Sequence, residues 1–301
     1  GMHYERSPMY HKIVLEDLMR AARGVEKADR LFYEELGKKI KKMADVMYSL
    51  EDGMGQTPLF NDSGDNVARS MVSLLAVLRE EFGITPDYKA SFPDAGYYCL
   101  RSGDVKVLLD AGAIAPDYMP GHGHCDGLSF ELSRQGHPVF VNSGTGMYQG
   151  ALRGYFRSTA AHNTVMIGDK NSSEVWGGFR VGRRARVTLL KDSPNEVEAW
   201  HDGFGSLGRH RRKFTIDKDC FRIEDSVSTG VKAVSLIHLA PDVEIMSCSR
   251  TEIVTNIAAI RVAGASSVEI VDDQVSFTYN RFHLSKTIRI HFVKRLSYTI
   301  G

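Results

Sequence analysis

The hydrophobic repeat of this chain changes once, and that change limits the fold. Before about residue 85, apolar residues recur every three or four positions; from about Tyr88 they recur every two. The first spacing lines one face of a helix and the second lines one face of a strand. Ser7-Pro8 supplies a capping hydroxyl and a proline at the first helical position. Val14, Leu18 and Ala22 follow at helical spacing, and a second helix carries Leu36, Ile40, Met43 and Met47. Asn61-Asp62-Ser63 offers caps for a third, with a stripe of Val67, Met71, Leu74, Leu75 and Leu78 that ends at Gly83 and Pro86. Beyond it, Val105, Val107 and Leu109 alternate with polar neighbours, as do Ala185, Val187 and Leu189, and Ile288, Ile290 and Phe292. Residues 130–142 read as two strands around a turn at Gln135-Gly136-His137-Pro138. The expected class is α+β: a helical segment over 1–87, then an antiparallel β-sandwich domain over 88–301.

Three helices are too few to bury their own apolar faces. They either pack on the sheets or complete a helical unit that lies largely outside this sequence. Composition adds exclusions. A net charge of +1 argues against a nucleic-acid binder, and no apolar run reaches the roughly 20 residues of a membrane span. Arg180–Arg186 (RVGRRAR) and Arg209–Lys213 (RHRRK) are local exceptions. Each could meet an acidic ligand, or be the solvated face of paired strands. Cys99, Cys125, Cys220 and Cys248 have no CxxC spacing and make no disulfide framework. Residues 1–10 lack the apolar core of a secretory leader.

The densest polar run is Pro120-Gly121-His122-Gly123-His124-Cys125-Asp126-Gly127. Two histidines two apart point the same way on an extended chain. Imidazole suits both zinc and proton transfer near neutral pH. The plain alternative is a glycine-rich turn with exposed histidines. A second cluster, Arg157 to Val165, brings His162-Asn163 to the start of an apolar strand and becomes a site only if His162 meets His124 in space. Val141–Gly146 lacks the lysine of a phosphate loop. Cys125 beside histidine could be a thiolate, but nothing around it resembles a thiol-protease elbow.

Five runs, in order, resemble the heparinase II/III-like polysaccharide lyases: His3–His11 (HYERSPMYH), Pro58–Ser63 (PLFNDS), Gly121–Leu132 (GHGHCDGLSFEL), Pro138–Tyr148 (PVFVNSGTGMY) and Arg157–Ile167 (RSTAAHNTVMI). The resemblance implies that the helices are the last turns of an α/α-toroid followed by an antiparallel sheet domain. It implies β-elimination on uronic-acid-containing polysaccharides, heparan-type glycosaminoglycans and alginate among them, and a periplasmic or secreted setting. Tyr10 matches the family's Brønsted acid, in many members also the base, and His122 a second acid/base residue. His124 and His162 match the histidine ligands of zinc-containing members. Asn142 stands where those members carry aspartate, a departure that weakens the expected zinc site because a neutral amide is a poorer ligand. The family's carboxylate-neutralising Asn or His, some fifty residues before the tyrosine, falls outside this sequence.

The chemistry explains the residue types. A proton α to a uronate carboxylate is very weakly acidic, so the carboxylate must be neutralised while a base removes the proton. A free tyrosine, with a pKa of about 10, needs a positive neighbour to act as that base. Arg153 and Arg157 are expected substrate clamps, since guanidinium forks match carboxylate and sulfate; strand-surface ion pairing is their other reading. Two rivals stand beside the lyase: a non-catalytic carbohydrate-binding module of the same fold, and a metal-dependent glycan hydrolase using His122, His124 and His162.

Overall fold

The computed structural model describes residues 1–51, 53–218 and 220–301. Three helices come first: α1 (Pro8–Val25), α2 (Arg30–Ser49) and α3 (Met71–Phe82). Ser7 caps α1 as expected, its Oγ accepting from Tyr10 N–H. Gly83 closes α3 with φ +63°, a conformation open to glycine at little cost. Leu15, Ile40, Leu74 and Leu78 are fully buried between the helices, each contributing about 2 kcal/mol of burial.

The start of α3 corrects the sequence reading. Its cap is Ser70, whose Oγ accepts from Ser73 N–H, not Asn61-Asp62-Ser63. Val67 lies ahead of the helix and is 50% exposed. The chain from 61 to 70 is irregular because its polar groups are engaged elsewhere. Asn61 has φ +55° and Asp62 is drawn into a buried network described below.

Five strands follow in one antiparallel sheet: β1 (Ser91–Phe92), β2 (Tyr97–Ser102), β3 (Val105–Asp110), β4 (Phe130–Arg134) and β5 (His137–Phe140), in sequence order. The short helix α4 (Ala151–Phe156) leads to β6 (Val165–Ile167) and the hairpin β7 (Val175–Trp176) and β8 (Arg180–Val181). The second large sheet is completed by β9 (Val187–Ser193), β10 (Glu196–His201), β11 (His210–Asp217), β12 (Cys220–Val227), β13 (Lys232–His238), β14 (Ile245–Cys248), β15 (Glu252–Thr255), β16 (Ala259–Thr278) and β17 (Arg281–Ile300). Its main order is β14-β15-β16-β17-β12-β11-β10-β9, with β13 on β17 and β6 on β13.

The two sheets face each other across one core. Leu109, Phe130, Leu132 and Phe140 of the first meet Phe214, Phe221, Ile223, Ile288 and Ile290 of the second. The long hairpin β16–β17 bends where Gly264 (φ +93°) and Lys294 (φ +66°) break its register. A Cβ on Gly264 would come within 2.7 Å of the Arg295 carbonyl oxygen, so only glycine fits the bend. The helices seat on the outside of the first sheet. Val46, Leu50 and Phe60 pack with Tyr97, Cys99 and Leu108, which is how three helices bury surface that they could not bury alone.

Candidate active site

Tyr10, in the first turn of α1, stacks on His122, their ring centroids 3.9 Å apart. Tyr10 is held from behind. Ser7 Oγ, its helix cap, also donates to the Asp62 carbonyl at 2.6 Å, which docks α1 onto the irregular 61–70 segment. Tyr10 Oη meets Tyr148 Oη at 3.2 Å. Burial raises the Tyr10 pKa, and the Tyr148 hydrogen bond acts against that rise. The resting group is therefore a phenol.

The loop that carries His122 and His124 is pressed against the segment after β3. A Cβ on Gly123 would lie 2.8 Å from both the Ile114 carbonyl oxygen and its side chain. Glycine is what lets two histidines flank so tight a passage. Both turn to one carboxylate, Asp62, which is fully buried. His122 Nδ1 donates to Asp62 Oδ2 at 2.9 Å and His124 Nε2 to Oδ1 at 2.8 Å. Arg153 completes the set, with Nη2 on Oδ2 at 2.8 Å and Nη1 on Oδ1. Thr145 Oγ1 donates as well, at 3.2 Å. Burial alone would raise the Asp62 pKa; hydrogen bonds from His122, His124 and Arg153 hold it far below the usual carboxylate range. Asp62 is thus an anion, and His122 turns Nε2 outward, 3.7 Å from Glu5 Oε2.

Arg153 and Arg157 correct an expectation. Neither lies on a strand and neither is open to a ligand: they are 2% and 1% exposed. Arg153 spends its fork on Asp62 and its Nε on the Gly178 carbonyl. Its guanidinium also lies over the rings of Tyr148 and Phe179, at 5.2 and 5.4 Å. Arg157 donates to the carbonyls of Gly123, Trp176 and Gly177 and so ties the histidine loop to the β7–β8 hairpin. They are internal braces because a buried guanidinium needs acceptors on every side.

His124 and His162 do meet, with centroids 5.3 Å apart, and His162 Nδ1 lies 3.3 Å from Asn142 Oδ1. Burial pushes His124 down to about 4 and His162 well below its ordinary value, so both are neutral. His124 Nδ1 and His162 Nε2 are buried without a hydrogen-bond partner. These two nitrogens are competent donors for a metal. The third position is not. Asn142 Oδ1 already accepts from Asn163 N–H at 3.1 Å, and its amide nitrogen donates to Glu131. Among the described residues no group of three or more His, Cys, Asp or Glu is arranged to hold a metal ion. This set does not fit a closed tetrahedral zinc site.

Cys125 is buried and its thiol is pushed up to about 12, mainly by burial, which removes it as a nucleophile. All four cysteines are free. Three residues escaped the sequence reading. Asp62 read as a helix cap, whereas its setting after Pro58-Leu59-Phe60 is that of an acid led into a core. Tyr148 ended a matching run but carried no assignment. Phe179, whose ring lies 5.9 Å from His122, had no signal in the sequence.

Residues 85–300 match the family described as heparinase II/III-like, C-terminal, and the chain belongs to that family. Among particular relatives, it is 26% identical over 274 residues to the heparin-sulfate lyase of Bacteroides thetaiotaomicron, covering 75% of this chain and 37% of that protein. It is 23% identical over 197 residues to the heparin-sulfate lyase of Pedobacter heparinus, covering 57% of this chain and 29% of that protein. The crystal structure of the heparan sulfate lyase HepC from Pedobacter heparinus superposes with a TM-score of 0.78 at 17% identity, covering 100% of this chain and 52% of that one. The chain therefore spans about a third of the length of these curated relatives and about half of the solved structure. The antiparallel sandwich with helices before it is the fold of that structure's matching half. Among the described residues no helix is long and apolar enough to cross a membrane.

Proposed function

We propose that this chain carries the acid–base centre of a polysaccharide lyase that cleaves acidic, uronate-containing glycans by β-elimination. One observation carries the reading: the Tyr10 phenol is stacked on His122 while Asp62 holds the far nitrogen of that imidazole. In the proposed step, neutral His122 takes the proton α to the uronate carboxylate at Nε2. The C–H electron pair becomes a C=C bond, the bond from the β-carbon to the glycosidic oxygen breaks, and Tyr10 gives its proton to the leaving oxygen. Tyr10 suits the acid role because burial keeps it protonated. The Asp62 anion orients His122 and stabilises the imidazolium that forms. Relatives named as heparin-sulfate lyases support a sulfated glycosaminoglycan as the substrate class.

The test is incubation of the folded protein with a panel of sulfated and unsulfated polyuronates, followed by ultraviolet absorbance of the new C=C bond. The expected result is product with at least one glycan, lost in Tyr10→Phe and His122→Ala. Absence of product across the panel overturns the proposal. Glycan binding without product, unchanged in both variants, would instead mark a non-catalytic module. Saturated products lost on chelation would mark a metal-dependent hydrolase, a reading that the amide at Asn142 disfavours.

A further inference from the structure

The arginine-rich run Arg180–Arg186 has no part in the centre just described. It leaves β8, crosses the surface and enters β9. Of its four arginines, Arg180 lies on β8 and the other three divide into two kinds. Arg184 is committed: it pairs with Asp117 at 2.9 Å and donates to the carbonyls of Pro116 and Asp117. Arg183 and Arg186 are exposed, and among the described residues neither guanidinium has a carboxylate or carbonyl partner. Only their backbone amides are engaged, with Glu174 and Asp202.

Arg183 and Arg186 line a hollow of about 770 Å³ together with Ala113, Ile114, Asp117 and Asp202. Asp117 is already neutralised by Arg184, so two unpaired positive charges face one carboxylate. The hollow backs onto the candidate centre. Its floor residues Ile114 and Ala115 are those that press on Gly123, between His122 and His124. A solvated strand face would leave such arginines on a convex edge. Here they converge in a hollow that shares a loop with the acid–base pair.

We propose that Arg183 and Arg186 form an anion subsite that holds a sulfate or carboxylate of a sugar unit of the same acidic glycan. A guanidinium fork presents two parallel N–H donors to either group. The buried Ile114 and Ala115 add apolar surface to the same hollow. This inference rests on the acidic-glycan reading above but not on the elimination chemistry.

The test is calorimetric titration of a fully sulfated heparin tetrasaccharide, and of its desulfated counterpart, into wild-type protein and the double variant Arg183→Ala/Arg186→Ala. A charge-matched control, Arg30→Ala/Lys38→Ala, removes two exposed cations from α2 that do not line the hollow. The expected loss of affinity in the double variant is about 3- to 30-fold at low salt, shrinking as salt is raised. The control should lose less than about twofold, because its cations lie outside the hollow and reach the ligand only through screened charge. A loss confined to the sulfated ligand assigns the subsite to sulfate, and an equal loss with both assigns it to carboxylate. Unchanged affinity in the double variant, an equal loss in the control, or no binding to wild type overturns the proposal. Failure of the lyase reading would show as absence of unsaturated product and would leave this titration as it is.

Discussion

Asp62 orients His122: its Oδ2 lies 2.9 Å from Nδ1, which donates to it and turns Nε2 toward the open side. Asp62→Asn keeps the shape but removes the charge. Turnover should fall about 10²- to 10⁴-fold with little change in KM, the scale of losing a positioned base and its orienting carboxylate. Product absorbance at saturating glycan checks this, and turnover within threefold of wild type would sink the assignment. Nitrogen NMR of His122 gives a second readout, with Nδ1–H expected in the wild type.

Arg153 separates a brace from a clamp. Arg153→Ala strands the buried Asp62 anion, which should cost about 3–5 kcal/mol of stability. Chemical denaturation measures it. A substrate clamp would leave stability alone and raise KM instead.

The zinc question turns on one residue. The purified protein is expected to hold well under one zinc per chain. Asn142→Asp, which supplies the carboxylate missing beside His124 and His162, should raise the content toward one. Elemental analysis decides. Full occupancy in the wild type would show that an amide suffices here.

His11 makes the fold acid-sensitive. It is buried with both nitrogens used: Nδ1 accepts from His3 N–H at 3.0 Å and Nε2 donates to the Met43 carbonyl at 2.8 Å. Burial depresses its pKa to about 4. A depressed histidine binds fewer protons folded than unfolded. Its neutral form thus contributes stability above about pH 6.5, and this is lost as pH falls toward 4, by up to about 3 kcal/mol. Unfolding at several pH values should show that slope, flattened in His11→Gln.

The sequence makes the periodic parts legible. Pro8, Ile40 and Leu74, and later Val107 and Ile290, declare helix and strand through spacing alone, because burial of one face imposes it. Capping at Ser7 and Gly83 is equally local. What spacing cannot show is which polar residues meet. Asp62 has the look of a cap, and only the docking of the histidine loop, the turn at Thr145 and α4 brings the four side-chain partners of its carboxylate together. Arg153 and Arg157 carry the same lesson. Residue type announces an anion partner but not whether that partner is a ligand or the protein's own Asp62 and backbone. His122 and His124 were visible as a pair, yet the division between them is drawn by whichever nitrogen Asp62 takes.

The long strand β17 has a consequence for synthesis. Ile300 pairs with both Phe221 and Ile260, and farther back the same strand pairs with β13. Among the described residues, strands β12 and β16 therefore meet only through β17, which is synthesised after both. Until then β12 leaves the exit tunnel with a bare edge, a template for pairing with another nascent chain. Loss of the residues around Ile300 would open the second sheet at its centre rather than fray it at a border.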